Sequence, residues 1–177
     1  RALLVDAGAR YAGYAADITR THAAADAPQA FVELVQLVDA VELRAAQEVR
    51  VGQPYEVLHD AVHHHLAEGL VALGLFKVSA EDAVARGLTR RLFPHGLGHS
   101  IGVHVHDVGC RKKEPRANNP FLRNTSVIEA GQAFTLEPGV YFIDALLEEL
   151  RNEAAAAVNW ALVEELKPLG GVRIEDD

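Results

Sequence analysis

Methionine is missing altogether, position 1 included, and cysteine occurs once, as Cys110, among 177 residues. A single thiol excludes an intramolecular disulfide, and the expectation is a cytosolic protein. The formal charge is −8 and aromatic residues make up only 6%. An acidic chain with no basic patch interleaved with aromatics is not built to hold nucleic acid. No apolar run approaches the roughly 18 residues of a membrane span, and no secretory signal pattern opens the chain. Repeats and low-complexity segments are also lacking. What remains is 49% hydrophobic and 24% charged, ordinary for one globular domain with a core of its own. Strand-like runs lie close to both ends, Ala2-Leu3-Leu4-Val5 and Val172-Arg173-Ile174. With the missing methionine, they predict a domain, residues 1–177, that has been cut at both ends.

Histidine is the residue the chain concentrates. Four of its nine histidines, His95, His99, His104 and His106, fall between Phe93 and Gly109, with glycines at 96, 98, 102 and 109. Each glycine would weaken a helix by about 1 kcal/mol relative to alanine, so irregular backbone is expected, running into a short strand over 101–105. Glycine also lets backbone come close to a ligand. Imidazole is the commonest metal-binding side chain and a proton carrier near neutral pH. Singly, such histidines are more often hydrogen-bonded parts of a core or loop. Their clustering raises the question of which carboxylates could complete a site.

Near the start, residues 3–7 and 14–19 read as two strands of a hairpin bent around Gly8 to Gly13. Asp6 and Asp17 stand eleven positions apart. An odd separation places both on one face of such a hairpin, about 5 to 8 Å apart. Two carboxylates that close either face solvent or share a cation. Residues 133–136 read as a strand that delivers Glu137 to a Pro-Gly turn. At the far end, alternation puts Arg173 and Glu175 on one face of a last strand.

Helices are expected between these segments. Asp26 reads as an N-cap with Gln29 completing a capping box, ahead of Phe31, Leu34, Val35, Val38 and Val41 at helical spacing. A second helix is expected from Pro54 to Leu73, closed by Gly74, and a third from a Ser79 cap to a point before Pro94. His63, His64 and His65 on the second point about 100° apart and read as a solvated face. The basic cluster Arg111 to Lys113 reads as the rim of a loop. Residues 144–166 read as helix with a break near Asn152 or Asn159.

Asp6, Asp17, His99, Glu137 and Glu175 are therefore the candidate metal ligands. Four carboxylates and one imidazole suit Mn²⁺ or Mg²⁺, with Zn²⁺ and Co²⁺ as alternatives. Four negative charges balance two divalent cations, which would acidify a shared water into a nucleophile near neutral pH.

Six ordered segments carry a resemblance. They are Leu4-Val5-Asp6-Ala7-Gly8, the run from Gly13 to Arg20, Pro94-His95-Gly96-Leu97-Gly98-His99, the run from Val105 to Gly109, Leu136-Glu137-Pro138-Gly139, and the run from Gly171 to Asp176. Together they resemble the signature segments of the pita-bread metallopeptidases. Asn159-Trp160, Pro120-Phe121-Leu122-Arg123 and the run from Lys167 to Gly171 are similar, more narrowly, to bacterial Xaa-Pro dipeptidases (prolidases), a group that includes organophosphorus acid anhydrolases.

The resemblance implies an α+β fold of pseudo-two-fold symmetry, a curved antiparallel sheet beneath flanking helices. It implies two divalent ions, manganese first, on the five candidate ligands. Glu137 would be the general acid–base, with His106 and His95 beside the reacting centre. Arg173 would face the substrate carboxylate, and Tyr55 would line the pocket. The implied reaction is hydrolysis of dipeptides whose second residue is proline, with phosphotriester hydrolysis as a side activity. The implied longer protein is a homodimer with an N-terminal domain that this chain lacks. An aminopeptidase of the same fold and a non-catalytic binding module are the alternatives.

Overall fold

A computed structural model describes all 177 residues. The first helix, α1 (Gln29–Glu48), forms because Phe31, Leu34, Val38, Val41 and Ala45 recur every three or four residues and are all buried. It starts after an extended Pro28, and no side chain caps it. Asp26 is therefore not the N-cap: it lies two residues upstream of the cap position and pairs with the amino terminus instead. Gln29 bonds forward to Glu33 rather than back to Asp26.

Helix α2 (Tyr55–Ala72) ends as its glycine foretells. Gly74 has φ of 77°, and the Leu75 and Gly74 amides reach the Leu70 and Val71 carbonyls, each at 2.9 Å, in a Schellman closure. The expected solvated histidine face does not exist. α2 is packed between α1 on one side and α3 (Ala80–Ala85) and α4 (Leu88–Leu92) on the other. Two of the three directions are thereby covered, so His63 and His65 are buried and His64 alone is exposed. Ser79 caps α3 through the Asp82 amide at 3.1 Å. Gly87, at φ of 70°, separates α3 from α4 where one helix is expected from the sequence.

The expected first hairpin has two tiers. Strand β1 (Ala2–Ala7) pairs antiparallel with β4 (Ile18–Ala23), with Asp6 opposite Thr19. Between them β2 (Arg10–Tyr11) and β3 (Tyr14–Ala15) form a smaller hairpin. Its turn residues Ala12 and Gly13 both have positive φ, the conformation that matches strand twist. Asp17 lies just outside the main ladder.

After β5 (Gly139–Tyr141), helices α5 (Asp144–Ala154) and α6 (Trp160–Leu166) flank a break at residues 155–159, as Asn159 suggested. Strand β6 (Gly171–Arg173) returns antiparallel to β5. Bridges from Thr19 to Glu175 and from Leu136 to Asp176 join the pieces, with one hydrophobic core beneath them. No helix is long and apolar enough to cross a membrane.

Residues 101–105 do not make the expected strand. The Asp107 carboxylate accepts from the Val103 and Val108 amides, at 3.0 and 2.8 Å, and consumes donors that a ladder needs.

Candidate active site

Two extended segments, residues 97–101 and 133–137, run side by side and fix the centre of the site. The Glu137 amide donates to the Leu97 carbonyl at 2.7 Å, and the Thr135 amide to the His99 carbonyl at 2.9 Å. Gly98 is needed there, since a Cβ would lie 2.0 Å from the Thr135 carbonyl oxygen. His99 and Glu137 are thus held on neighbouring strands, with His99 Nε2 3.6 Å from Glu137 Oε1. The same nitrogen is 3.6 Å from Asp17 Oδ2. His99 Nδ1 lies 3.0 Å from the Ser100 carbonyl, an arrangement that places the proton on Nδ1 and leaves the Nε2 lone pair facing the carboxylates.

Glu175 arrives from the far end of the chain through the bridge with Thr19, whose hydroxyl donates to its carboxylate at 2.6 Å. Ligand atoms of Asp17, His99 and Glu175 all lie within 4.8 Å of one another. Asp6 stands at the edge of this group, its carboxylate paired with the Arg173 guanidinium.

The electrostatics are those of crowded acid. Burial, then the neighbouring Glu175, pushes the Glu137 carboxyl up to about 8. Burial and the Asp6 charge raise Asp17, and burial raises Glu175. Carboxylates gathered this closely, three of them shielded from water, repel one another until a cation lies among them. Oxygen donors predominate and one imidazole joins them, so the donor set itself fits divalent metal ions.

A cleft of about 360 Å³ opens above Glu137, walled by His95, His106, Phe121, Arg123 and Arg173. The His106 ring stands edge-on to His99 with centroids 4.4 Å apart. Burial and His99 hold His106 below the usual imidazole range.

The model of metallopeptidase family M24 matches residues 1–177. This chain belongs to that family. It is 50% identical over 186 residues to a Xaa-Pro dipeptidase of Xanthomonas euvesicatoria, covering 100% of this chain and 42% of that protein. A Xaa-Pro dipeptidase of Shewanella frigidimarina is 45% identical, at 98% and 41% coverage. The chain thus spans about two-fifths of the length of these relatives.

Among solved structures it superposes on zinc-substituted Escherichia coli aminopeptidase P in complex with product, with a TM-score of 0.75 and 30% identity over 99% of this chain and 35% of that one. Proline aminopeptidase P II from Yersinia pestis gives a TM-score of 0.74 at 29% identity, covering 98% and 35%. The α+β pita-bread fold implied by the resemblance is the fold observed, with its sheet reduced to two-stranded pieces.

Within this M24 domain the remaining candidates fall differently. Tyr55 is fully buried, and its hydroxyl donates to the Thr135 carbonyl at 2.8 Å. It braces residues 133–137 from behind and does not line the cleft, because the first turn of α2 points it into the core. His95 does line the cleft, but both its ring nitrogens are engaged, at 2.8 Å from the Gly96 carbonyl and 2.8 Å from the Tyr141 hydroxyl. That makes it a fixed wall rather than a free acid or base.

Sequence reasoning missed Tyr141, Thr19, Thr135 and Arg123. Period-two spacing offered Thr19, two after Asp17; Tyr141 was hidden by the turn expected at Pro138-Gly139, where the chain in fact stays extended into β5. Arg123 closes the segment Pro120-Phe121-Leu122-Arg123 that carries part of the resemblance, but nothing local gave it a role.

Proposed function

We propose that this chain carries the catalytic centre of a metal-dependent Xaa-Pro dipeptidase, which hydrolyses the bond before a C-terminal proline. The observation that carries the reading is the meeting of Asp17, His99, Glu137 and Glu175 under a cleft walled by Arg173 and His106. Asp6, Asp17, His99, Glu137 and Glu175 would hold two divalent ions, manganese first and cobalt, zinc or magnesium as alternatives. When bound, such a pair polarises a carbonyl and acidifies water.

The chain's own residues do the rest. In the metal-free chain burial and Glu175 raise the Glu137 carboxyl to about 8, and beside bound cations it returns to the carboxylate that accepts a proton. It takes one from the attacking water and hands it to the leaving proline nitrogen. Arg173 offers a planar fork for the dipeptide's carboxylate. In the structure that fork is taken by Asp6, with Glu175 3.5 Å from its Nε, so it is freed for substrate when cations engage those carboxylates. His106 steadies the reacting carbonyl from the cleft mouth. His95, tied to Tyr141, shapes the wall against the proline ring. A proline amide has no N–H, so ring shape and carboxylate must serve for recognition. A homodimer and a cytosolic setting for the longer protein belong to the same reading, as does a phosphotriesterase side activity.

The test is free-proline release from Gly-Pro by the Mn²⁺-loaded protein. Release that stops on chelation, returns with Mn²⁺ and is lost in Glu137→Gln is the expected result. A protein that holds two equivalents of Mn²⁺ and frees no proline overturns the reading. The likeness to aminopeptidase P favours a second reading, removal of a residue from longer peptides. Faster cleavage of Gly-Pro-Ala than of Gly-Pro would select it.

A further inference from the structure

Behind the His95 wall lies another cavity, of about 280 Å³, bounded by α2, α4 and residues 117–122. His59 and His63 line it, four positions apart on one face of α2, and they are 3% and 1% exposed. We infer that these two imidazoles form a second cation site, separate from the carboxylate centre, for a borderline divalent ion such as Zn²⁺, Ni²⁺ or Cu²⁺.

Three observations carry the assignment. The rings stand with centroids 4.7 Å apart at 79°. An ion about 2.0–2.1 Å from one nitrogen of each ring would set the centroids roughly 5 Å apart, so small rotations suffice. His63 Nδ1 lies 3.0 Å from the Thr89 hydroxyl, an outer partner of the kind that orients a ligating histidine and leaves its other nitrogen available. His59 Nδ1 is buried without any hydrogen-bond partner, a vacancy that ligation fills.

Burial also holds both imidazoles well below their usual range, hence in the neutral form that binds metal. The nearby guanidinium of Arg90 does not oppose a cation alone. It faces Asp60 at 3.6 Å and donates to the Asn118 carbonyl and Asn119 Oδ1. Water from the cavity mouth completes the coordination. A pair of nitrogen donors discriminates against Mn²⁺ and Mg²⁺, which the carboxylate centre favours.

The test uses untagged protein in which His99→Ala and Glu175→Gln disable the carboxylate centre. Equilibrium dialysis against Zn²⁺ is expected to find one retained equivalent, lost when His59→Gln and His63→Gln are added and kept with the exposed-site control His64→Gln. Cu²⁺ at that site is expected to show two imidazole nitrogens in its electron spin-echo modulation. An equivalent that survives the His59 and His63 changes overturns the inference. If those variants fail to fold, as circular dichroism would reveal, a Cu²⁺ spectrum of the parent lacking paired imidazole coupling overturns it equally. Loss of the carboxylate centre in this background leaves the result untouched, so the two sites fail independently.

Discussion

The carboxylate centre and the α2 imidazole pair are assembled in opposite ways. The first draws Asp6, Asp17, His99, Glu137 and Glu175 from separate stretches, and most of them are held by a bond from a distant part of the chain. The Thr19 hydroxyl holds Glu175, and the Leu97 carbonyl holds the Glu137 backbone. The second needs only one turn of helix, which brings positions four apart together at once. A site built across strands therefore responds to changes well outside its ligands, whereas a helix-built pair responds to its own residues and little else.

The sharpest way to break that contrast is to remove a proposed ligand. Asp17→Asn or Glu175→Gln should weaken metal binding at the carboxylate centre by more than the roughly 10–100-fold that outer partners contribute. Calorimetric titration with Mn²⁺ measures it. An affinity within a factor of two of the parent would mean that these residues do not ligate.

A subtler change attacks the same centre from outside. Arg20 donates to the Glu175 carbonyl at 2.7 Å and to both Asp176 carboxylate oxygens at 2.7 and 3.0 Å. It fixes the end of the chain that carries Glu175 while touching no ligand side chain. Arg20→Ala should lower Mn²⁺ affinity about tenfold, as loss of an outer partner does, and leave the Zn²⁺ equivalent assigned to His59 and His63 intact. Arg20→Lys, which keeps charge but not the fork, should recover only part of the affinity.

Beneath Arg20, on α1, Glu42 is buried, and its carboxyl is raised to about 7 by burial first and then by Asp176. A carboxyl raised on folding favours the folded state only while protonated. Its contribution is therefore fully retained below the ordinary glutamate range and lost as pH climbs through about 7. Glu42→Gln should stabilise the metal-free protein at pH 8 by on the order of 2 kcal/mol and do little at pH 4. Thermal melts across that range read the difference; equal shifts at both pH values would exclude the mechanism.

Much of the carboxylate centre could be read from spacing because strands obey a period of two. The odd separation of Asp6 and Asp17 agrees with their nearness, Asp17 feeling the Asp6 charge, even though the ladder begins only at Ile18. Glu137 was marked by its place at a strand end, and Glu175 by its alternation with Arg173. Some failures are tertiary and others, the Asp26 cap and the 101–105 strand, are local. Nothing in the run His63-His64-His65 says that α3 and α4 cover the face opposite α1. Asp107 turned an alternating stretch into bends by spending its carboxylate on local amides. Tyr55 was misplaced because a helix's first residue can point either to a cleft or to the core, and packing against Phe134 decides.

One local signal that held is the Ser79 cap, and it offers the smallest and cleanest test. Its hydroxyl satisfies the Asp82 amide at the start of α3, a helix of only six residues with little else to hold its first turn. Ser79→Ala should cost about 1 kcal/mol of stability. Because α3 packs against α2 but contributes no ligand, metal stoichiometry at both sites should not change. Chemical denaturation would show a lower midpoint at constant slope. A loss of bound Mn²⁺ alongside that shift would mean that the carboxylate centre depends on the helical layer as well as on its strand bridges, and the contrast between the two sites would narrow accordingly.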